Sequence, residues 1–280
     1  MEKVKIAIAG LGEFGSQLVS WIQLGKMEGI EILYCIEPNK EKWGLNNPVC
    51  YACLQDVPKN LRTRTQVIVD CSPKGCGASN LELYKSFGLP AVFQNGESLG
   101  LCELFYSRNE KISSRYLKVA KCSALSTCVV TSPLMNALSI QKIWCSHFKV
   151  NNHDRMVDFD YVSGREITAL LGIEAIVDVT YLRGISHNGY VYHGFIHVHC
   201  AKPPSRNVAL EILSQNPDVI VVGKNIDTRS FPRTTKTLVM KDGIRVSGNV
   251  LQIPVLSFTP EINFPQNEIA IRLLTKSKLE

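Results

Sequence analysis

The amino-acid sequence predicts an α/β protein, with an N-terminal Rossmann domain and a second α+β domain that carries a mixed or antiparallel sheet. Three observations support this. Short apolar strands alternate with helical segments over residues 4–120, a glycine-rich turn follows the first strand, and most apolar runs after residue 142 are typical of strands. A length of 280 residues suffices for two domains, and a 45% hydrophobic content excludes a disordered chain.

Charge and composition narrow the class of partner. The chain has 31 basic and 25 acidic residues, spread along its length without a basic block, which favours an anionic small molecule and no nucleic acid. No run of about 18 apolar residues is present, so we expect no membrane span. No secretory signal is recognisable at the start, so we expect a cytoplasmic protein whose ten cysteines are reduced.

The first strand, over residues 4–9, leads into a G-x-G-x-x-G motif that opens a helix over 16–24. Gly10 permits the tight turn, Gly12 lets a pyrophosphate approach the backbone, and Gly15 permits close packing of helix and strand. The helix N-terminus supplies unpaired N–H groups. The sequence therefore predicts dinucleotide binding by the residues of this turn, which are Gly10, Leu11, Gly12, Glu13, Phe14 and Gly15.

A second strand, over residues 31–36, ends at Glu37. An acidic residue at this place accepts a hydrogen bond from the adenosine ribose and repels a 2′-phosphate, which favours NAD over NADP. Lys40 lies close enough in sequence to leave NADP as an alternative. Glu37 as an ordinary solvated turn residue is the other interpretation.

The next strands, over residues 65–70 and 89–94, flank a helix over 79–87. The carboxyl ends of parallel strands line the ligand crevice of this fold. The residues that follow these strands, Ser72, Pro73, Gln94 and Asn95, are therefore predicted to lie near the cofactor.

A strand over residues 116–120 delivers Cys122 to a strand–helix junction. Helix N-terminal amides stabilise a thiolate and can hold an oxyanion, and Lys121 would assist. Cys122 is thus a candidate nucleophile, although a buried apolar filler is the alternative.

The middle of the chain holds the candidate histidines. We interpret residues 151–163 as a polar loop, in which His153 could act as a general base or be merely solvated. Strands are predicted over 143–150, 175–180, 191–200, 219–222, 244–250 and 251–258, with a helix over 205–216. His193, His197 and His199 share one face of their strand, where we favour a structural role over zinc and predict no metal.

Several blocks resemble the archaeal-type (type II) glyceraldehyde-3-phosphate dehydrogenases. They keep their order along most of the chain, and they are A-G-L-G-E-F-G at 9–15, V-I-V-D-C-S-P-K-G-C-G-A-S-N at 67–80, L-E-L-Y-K-S-F-G-L-P-A-V-F-Q-N-G-E at 81–97, Y-L-K-V-A-K-C-S at 116–123, G-F-I-H-V-H at 194–199 and F-P-Q-N-E-I-A-I-R at 264–272. The block over 67–97 is the most specific, because a generic Rossmann protein has no reason to share it.

The resemblance implies a Rossmann domain over residues 1–122, completed by a C-terminal helix over 264–280, and a catalytic and oligomerisation domain over 123–263. It implies that Cys122 attacks an aldehyde, with or without a phosphate group, to form a thiohemiacetal that is oxidised by NAD(P). It implies a homo-oligomer, dimer or tetramer. It also carries over Ser72, Pro73, Gln94 and Gly96 as cofactor-binding residues.

Two departures from that family keep a second function open. Where the family has N-T-T-G after its cysteine, this chain has Ser123, Ala124, Leu125 and Ser126. The family segment S-H-H-G, which supplies its histidine base, aligns best with Ser163-Gly164-Arg165. The alternatives are a nucleotide-binding regulatory homologue without catalysis, or a Rossmann reductase of another substrate in which Cys122 is inert.

Overall fold

A computed structural model of the chain describes residues 3–44, 48–94, 102–106, 112–151, 157–183, 190–223, 226 and 231–276. The strands are β1 Val4–Ala9, β2 Ile30–Ile36, β3 Cys50–Tyr51, β4 Val67–Asp70, β5 Ala91–Phe93, β6 Glu103–Phe105, β7 Tyr116–Val119, β8 Ile140–Asn151, β9 Val157–Phe159, β10 Glu174–Arg183, β11 Tyr190–Cys200, β12 Val219–Val222, β13 Thr237–Met240, β14 Arg245–Ser247 and β15 Val250–Thr259. The helices are α1 Glu13–Gln23, α2 Lys59–Arg62, α3 Gly77–Ser86, α4 Cys122–Thr131, α5 Tyr161–Leu171, α6 Arg206–Gln215 and α7 Phe264–Lys276.

The chain divides into two compact units. Unit 1 comprises Met1–Val119 with Phe264–Glu280, and unit 2 comprises Ala120–Asn263. The prediction from sequence places the boundary slightly later, after residue 122. None of the described helices is both long and apolar enough to cross a membrane.

Unit 1 is built on a seven-stranded sheet in the order β3-β2-β1-β4-β5-β7-β6, and every neighbouring pair is parallel. The central strands consist mainly of buried apolar residues, as expected for a parallel sheet that is covered on both faces. The chain leaves β1 first towards β2 and later returns to β4 on its other side, so the strand order reverses between β1 and β4. The predicted Rossmann architecture is confirmed, and ligands of such folds bind at this reversal point.

The helix α7 belongs to unit 1 although it ends the chain. Phe264 packs its ring against Phe14 at 5.7 Å and against Trp21 at 5.1 Å between centroids, which anchors α7 to α1. The same helix contacts β4, β5 and β7. The last four residues of the predicted helix, 277–280, lie outside the described residues.

Unit 2 contains an eight-stranded sheet of mixed direction, as predicted. Its order is β12-β13-β15-β11-β8-β10-β9, with β14 added to β15. Along β8, Ile143, Cys145 and His147 are fully buried, whereas Trp144 on the opposite face is 43% exposed. The helices cover the buried face, since Thr127 of α4 contacts Cys145, and Asn216 at the end of α6 donates to Val129 of α4.

The prediction of a polar loop over residues 151–163 is wrong in its second half. The structure has the strand β9 there, and α5 begins at Tyr161. Asp160 caps this helix by accepting the backbone N–H of Ser163 at 3.1 Å, and Gly172 ends it in the left-handed conformation. Acidic and hydroxyl residues made the segment appear loop-like, whereas they form an N-cap.

Strand boundaries also differ from the predictions near the sheet edges. The predicted strand over 244–250 shortens to β14, whose three residues are all exposed, and a turn at Gly248 separates it from β15. The short strands β3, β6 and β13 were not predicted. Pairing with a longer neighbour fixes such strands, and their own sequences carry little periodic signal.

Candidate functional site

The glycine turn between β1 and α1 is sterically fixed at two of its three glycines. Gly10 has φ +86°, and a Cβ there would lie 2.8 Å from backbone atoms of Cys71 and Ser72. A Cβ on Gly15 would lie 1.9 Å from the carbonyl oxygen of Gly10. Both positions therefore require glycine for the protein's own packing.

Gly12 differs, because no atom of the described residues lies within 4 Å of the place where its Cβ would be. It is the N-cap residue of α1 in extended conformation and has no side chain to accept a hydrogen bond, so no side chain caps the first N–H groups of the helix. This space suits an anionic group such as a pyrophosphate, which the N–H groups and the helix dipole would stabilise.

Glu37 lies at the end of β2 and is held by the glycine turn. Its Oε2 accepts the backbone N–H of Leu11 at 2.7 Å, and its Oε1 accepts that of Asn39 at 3.0 Å. The residue is 4% exposed, and the Lys42 ammonium lies 3.9 Å from Oε2. A carboxylate oriented in this way retains lone pairs for a ribose hydroxyl.

These residues surround a cavity of about 450 Å³ in unit 1. Its walls come from the ends of β1, β2 and β4 and from the start of α1, the positions expected of a Rossmann ligand site. The predicted residues among its lining are Gly10, Gly12, Glu13, Phe14, Glu37, Ser72 and Pro73. The cavity also has an apolar side formed by Ile36, Pro38, Ala52 and Leu54, which suits a planar ring such as adenine.

A buried carboxylate that is not predicted from the sequence supports the cavity wall. Asp70 is fully buried and accepts the Ser72 backbone N–H at 2.9 Å, the Asn80 amide at 2.8 Å and the Tyr84 hydroxyl at 2.8 Å. Burial raises the pKa of Asp70, while these hydrogen bonds oppose the shift. Asn80 also donates to the Ser72 hydroxyl at 3.1 Å, so Asp70 fixes Ser72 in the cavity. The signal was an aspartate ending an otherwise apolar strand.

Other predicted cofactor residues lie elsewhere. Leu11 is buried with its N–H bound to Glu37, and Gly15 packs against Gly10. The Gln94 amide donates to the side chain of Asn267 on α7 at 2.8 Å, which links β5 to α7 within unit 1. Asn95 and Gly96 lie outside the described residues. The assignment of these residues to the cofactor stays a prediction.

In unit 2, Cys122 is the first residue of α4 and is half-buried. Its position at the helix N-terminus is the one that favours a thiolate and an oxyanion. The Lys121 ammonium forms an ion pair with Asp160, its Nζ lying 2.8 Å from Oδ1. The Lys121 backbone N–H also donates to Glu166 at 2.7 Å.

No described histidine side chain is hydrogen-bonded near this helix, but one is buried beside it. His147 is fully buried on β8, and neither ring nitrogen has a hydrogen-bond partner within the described chain. Its ring meets Tyr192 edge-on at 5.9 Å, and Gly194 leaves room for it, since a Cβ there would lie 2.8 Å from Nδ1. The predicted base, His153, lies outside the described residues.

The buried imidazole makes unit 2 sensitive to acid. Burial lowers the pKa of His147 to about 4, although the Asp160 and Asp178 carboxylates act in the opposite direction. Because the unfolded histidine titrates near 6.5, stability is intact above that pH and is lost as pH falls from 6.5 towards 4. We expect a loss of about 2 kcal/mol at pH 5 relative to pH 8 from this group.

Urea denaturation at pH 5 and pH 8 measures this effect when the wild type is compared with His147→Leu. The difference between the two pH values should shrink by about 2 kcal/mol in the variant. An identical pH dependence in both proteins would contradict a neutral, buried His147.

The histidines of β11 lie on the face of the sheet opposite to that of the buried His147. His193, His197 and His199 alternate with buried residues and lie on the partly exposed face of the sheet. Burial lowers the pKa of His193 and of His197. Within the described ranges, no cluster of three or more histidine, cysteine or acidic side chains has the arrangement of a metal site.

The sequence of this chain is similar to those of several known proteins. No protein-family model matches the chain. Glyceraldehyde-3-phosphate dehydrogenase of Sulfolobus acidocaldarius is 26% identical over 166 residues, covering 51% of this chain and 47% of that protein. The Methanothermus fervidus protein of the same name is 35% identical over 81 residues, covering 28% and 24%. The Metallosphaera sedula protein of that name is 21% identical over 97% of this chain and 93% of its own length.

The chain resembles archaeal glyceraldehyde-3-phosphate dehydrogenases. The resemblance predicted from the sequence blocks is thereby confirmed at low identity, although the aligned part spans about half or less of most of these dehydrogenases. Solved structures show the same two-domain fold. Aspartate semialdehyde dehydrogenase II from Vibrio cholerae superposes with a TM-score of 0.77 at 12% identity over 99% of this chain and 100% of its own. A probable aspartate-semialdehyde dehydrogenase from Pseudomonas aeruginosa gives 0.74 at 13%, covering 98% and 99%.

Proposed function

We propose that the protein is an NAD(P)-dependent oxidoreductase that acts on an aldehyde through Cys122. The observation that carries this proposal is the open space beside Gly12, in a cavity lined by Glu37 and by the start of α1, which has no side-chain cap. The similarity to archaeal glyceraldehyde-3-phosphate dehydrogenases supports it. When bound, a nicotinamide cofactor would supply the hydride acceptor.

The residues of this chain have separate tasks in that reaction. Cys122, as a thiolate, would add to the aldehyde carbon and form a thiohemiacetal, which splits one difficult oxidation into two easier steps. The N–H groups in the first turn of α4 would stabilise the developing oxyanion. The turn at Gly10–Gly15 would hold the pyrophosphate, and Glu37 the ribose, of the cofactor.

We infer that NAD is preferred and that NADP is the alternative. The Glu37 carboxylate would repel a 2′-phosphate, while the nearby Lys42 ammonium reduces this repulsion. Glu37→Gln keeps an acceptor for the Leu11 N–H but removes the charge. We expect this variant to shift the NADPH-to-NADH affinity ratio by about tenfold towards NADPH, an effect of about 1.4 kcal/mol.

Fluorescence titration with NADH and NADPH measures both affinities. Glu41→Gln is a matched control, because this carboxylate lies on the same segment and is exposed. An unchanged ratio in Glu37→Gln would show that Glu37 does not contact the ribose.

Reduction of NAD⁺ or NADP⁺, followed by absorbance, tests the function itself. Glyceraldehyde 3-phosphate with inorganic phosphate and unphosphorylated glyceraldehyde serve as substrates that differ in one anionic group. We expect turnover by the wild type, loss of more than about a thousandfold in Cys122→Ser, and little change in the control Cys102→Ser. Equal turnover by Cys122→Ser and the wild type would exclude the covalent mechanism.

A regulatory nucleotide binder is the second candidate function, and one observation favours it. The four residues that replace the family's N-T-T-G segment are buried in α4, and Ser123 and Ser126 are 0% and 1% exposed. Their hydroxyls bind within the protein, to Ser163 and Ser257, and so do not present a phosphate site. NADH binding without turnover of any aldehyde would support this candidate. Turnover that persists in Cys122→Ser would instead indicate a reductase in which the cysteine is inert.

We also propose that the protein is a homo-oligomer, a dimer or tetramer. The face of the unit 2 sheet opposite α4 presents Trp144, Phe195 and His197 with partial exposure. A partly apolar sheet face of this kind is typical of an interface. Sedimentation velocity should give a dimer or tetramer for the wild type and a smaller species for Trp144→Glu. A monomeric wild type would contradict the proposal.

A cytoplasmic location of the protein stays a prediction.

A further inference from the structure

Both chain neighbours of Cys122 bind the same carboxylate. The Lys121 ammonium lies 2.8 Å from Oδ1 of Asp160, and the Ser123 hydroxyl donates to Oδ2 of Asp160 at 3.2 Å. Since the residues before and after Cys122 are tied to one side chain, the backbone that carries the thiol is fixed from both sides.

Asp160 is itself held at the start of α5. The Ser163 backbone N–H donates to Oδ1 at 3.1 Å, and the Ser163 hydroxyl donates to Oδ2 at 2.7 Å. The hydroxyl oxygens of Ser123 and Ser163 are 2.5 Å apart, and both residues are fully buried. Each hydroxyl has a single proton, so Ser123 binds Asp160 either with its own proton or through the Ser163 hydroxyl, which donates to the carboxylate. Buried groups connected in this way are rigid, because moving one of them would leave another without its hydrogen-bond partner.

The charge of Asp160 is as important as its hydrogen bonds. Burial would raise the pKa of Asp160, but the Lys121 ammonium and the Ser163 donors lower it below its ordinary value. Asp160 is therefore an anion at neutral pH. The other groups around it are Glu166, which accepts the Lys121 backbone N–H, and the buried His147. The ion pair thus compensates the charge of Lys121, the residue that precedes Cys122 in the chain.

We propose that Asp160 is a positioning residue for Cys122, which fixes Lys121 and Ser123 and sets the reactivity of the thiol by compensating the Lys121 charge. This inference rests on the proposed function, in which Cys122 is the nucleophile. It assigns to Asp160 a role that neither its place at a helix start nor the resemblance indicates.

Alkylation of Cys122 by iodoacetamide, followed by mass spectrometry of the modified peptide, tests the proposal without turnover. Asp160→Asn leaves the Lys121 cation uncompensated, so alkylation at pH 7 should become about tenfold faster and its rate profile should move to lower pH. Lys121→Gln leaves the Asp160 anion uncompensated, so alkylation should become about tenfold slower. If Asp160 had only a structural role, the two substitutions would not change the alkylation rate of Cys122 in opposite directions.

The control is Glu174→Gln, which breaks the exposed pair of Glu174 with Lys142 in the same unit and should leave alkylation unchanged. If Asp160→Asn fails to fold, as judged by circular dichroism, Lys121→Gln alone decides the outcome. Rates within twofold of the wild type in the folded variants, or shifts in the same direction, would overturn the proposal. Failure of the proposed function appears separately, as turnover that persists in Cys122→Ser while the alkylation shifts remain.

Discussion

Replacing Gly15 with alanine is expected to lower the free energy of unfolding by about 3–5 kcal/mol. The new Cβ would lie 1.9 Å from the Gly10 carbonyl oxygen, so either α1 or the glycine turn must move. Neither can move cheaply, because Gly15 is buried and the Leu11 N–H is fixed by Glu37. Thermal unfolding should show a midpoint lower by about 10 °C.

Gly25→Ala is the matched control for this variant. Gly25 has φ +72°, but no atom lies within 4 Å of its Cβ position among the described residues, so the substitution introduces backbone strain without a clash. It should cost only about 1–2 kcal/mol. Equal destabilisation by the two substitutions would show that close packing at Gly15 does not set the geometry of the turn.

Removing the Asp70 carboxylate is the second large effect. In Asp70→Ala the Ser72 N–H, the Asn80 amide and the Tyr84 hydroxyl lose their common acceptor, which is itself fully buried. Each unsatisfied donor costs about 1–3 kcal/mol, and relief of the desolvated carboxylate offsets part of this. We expect a net loss of about 3–4 kcal/mol, measured by urea denaturation.

Two further variants separate the contributions at Asp70. Asp70→Asn keeps the size of the side chain and one acceptor oxygen, so its free energy of unfolding should fall by less than that of Asp70→Ala. Tyr84→Phe removes only one donor and should lose about 1 kcal/mol. Because Asp70 orients Ser72, Asp70→Ala should also weaken NADH binding, whereas a loss of stability with unchanged affinity would show that Ser72 does not contact the nucleotide.

The nucleotide-binding unit could be predicted from the sequence because each of its signals is local. The glycine spacing at Gly10, Gly12 and Gly15, the acidic residue at the end of β2 and the alternation of strands with helices are contiguous patterns. The supporting contacts could not be predicted in the same way. Asp70 meets Tyr84 only because β4 and α3 pack together, which no spacing in the sequence encodes.

The second unit is harder to predict from the sequence, because its polar residues are compatible both with a loop and with a helix cap. Asp160 and Ser163 are typical of loops, but here they cap α5 and bind the residues beside Cys122. The choice of His153 as a base followed from its polar surroundings and stays a prediction. Nothing in the sequence singled out His147, since a histidine in an apolar strand shows its burial only once the sheet and α4 have packed.

Titration of NADH into the wild type and into Gly12→Ala, followed by fluorescence, tests the central claim most directly. The Gly12 Cβ would enter open space rather than protein, so the variant should unfold within about 1 kcal/mol of the wild type. We expect saturable binding by the wild type and an affinity at least about tenfold weaker in Gly12→Ala, because the methyl group would occupy the place of the pyrophosphate. Equal affinities, or no binding of NADH or NADPH by the wild type, would contradict it.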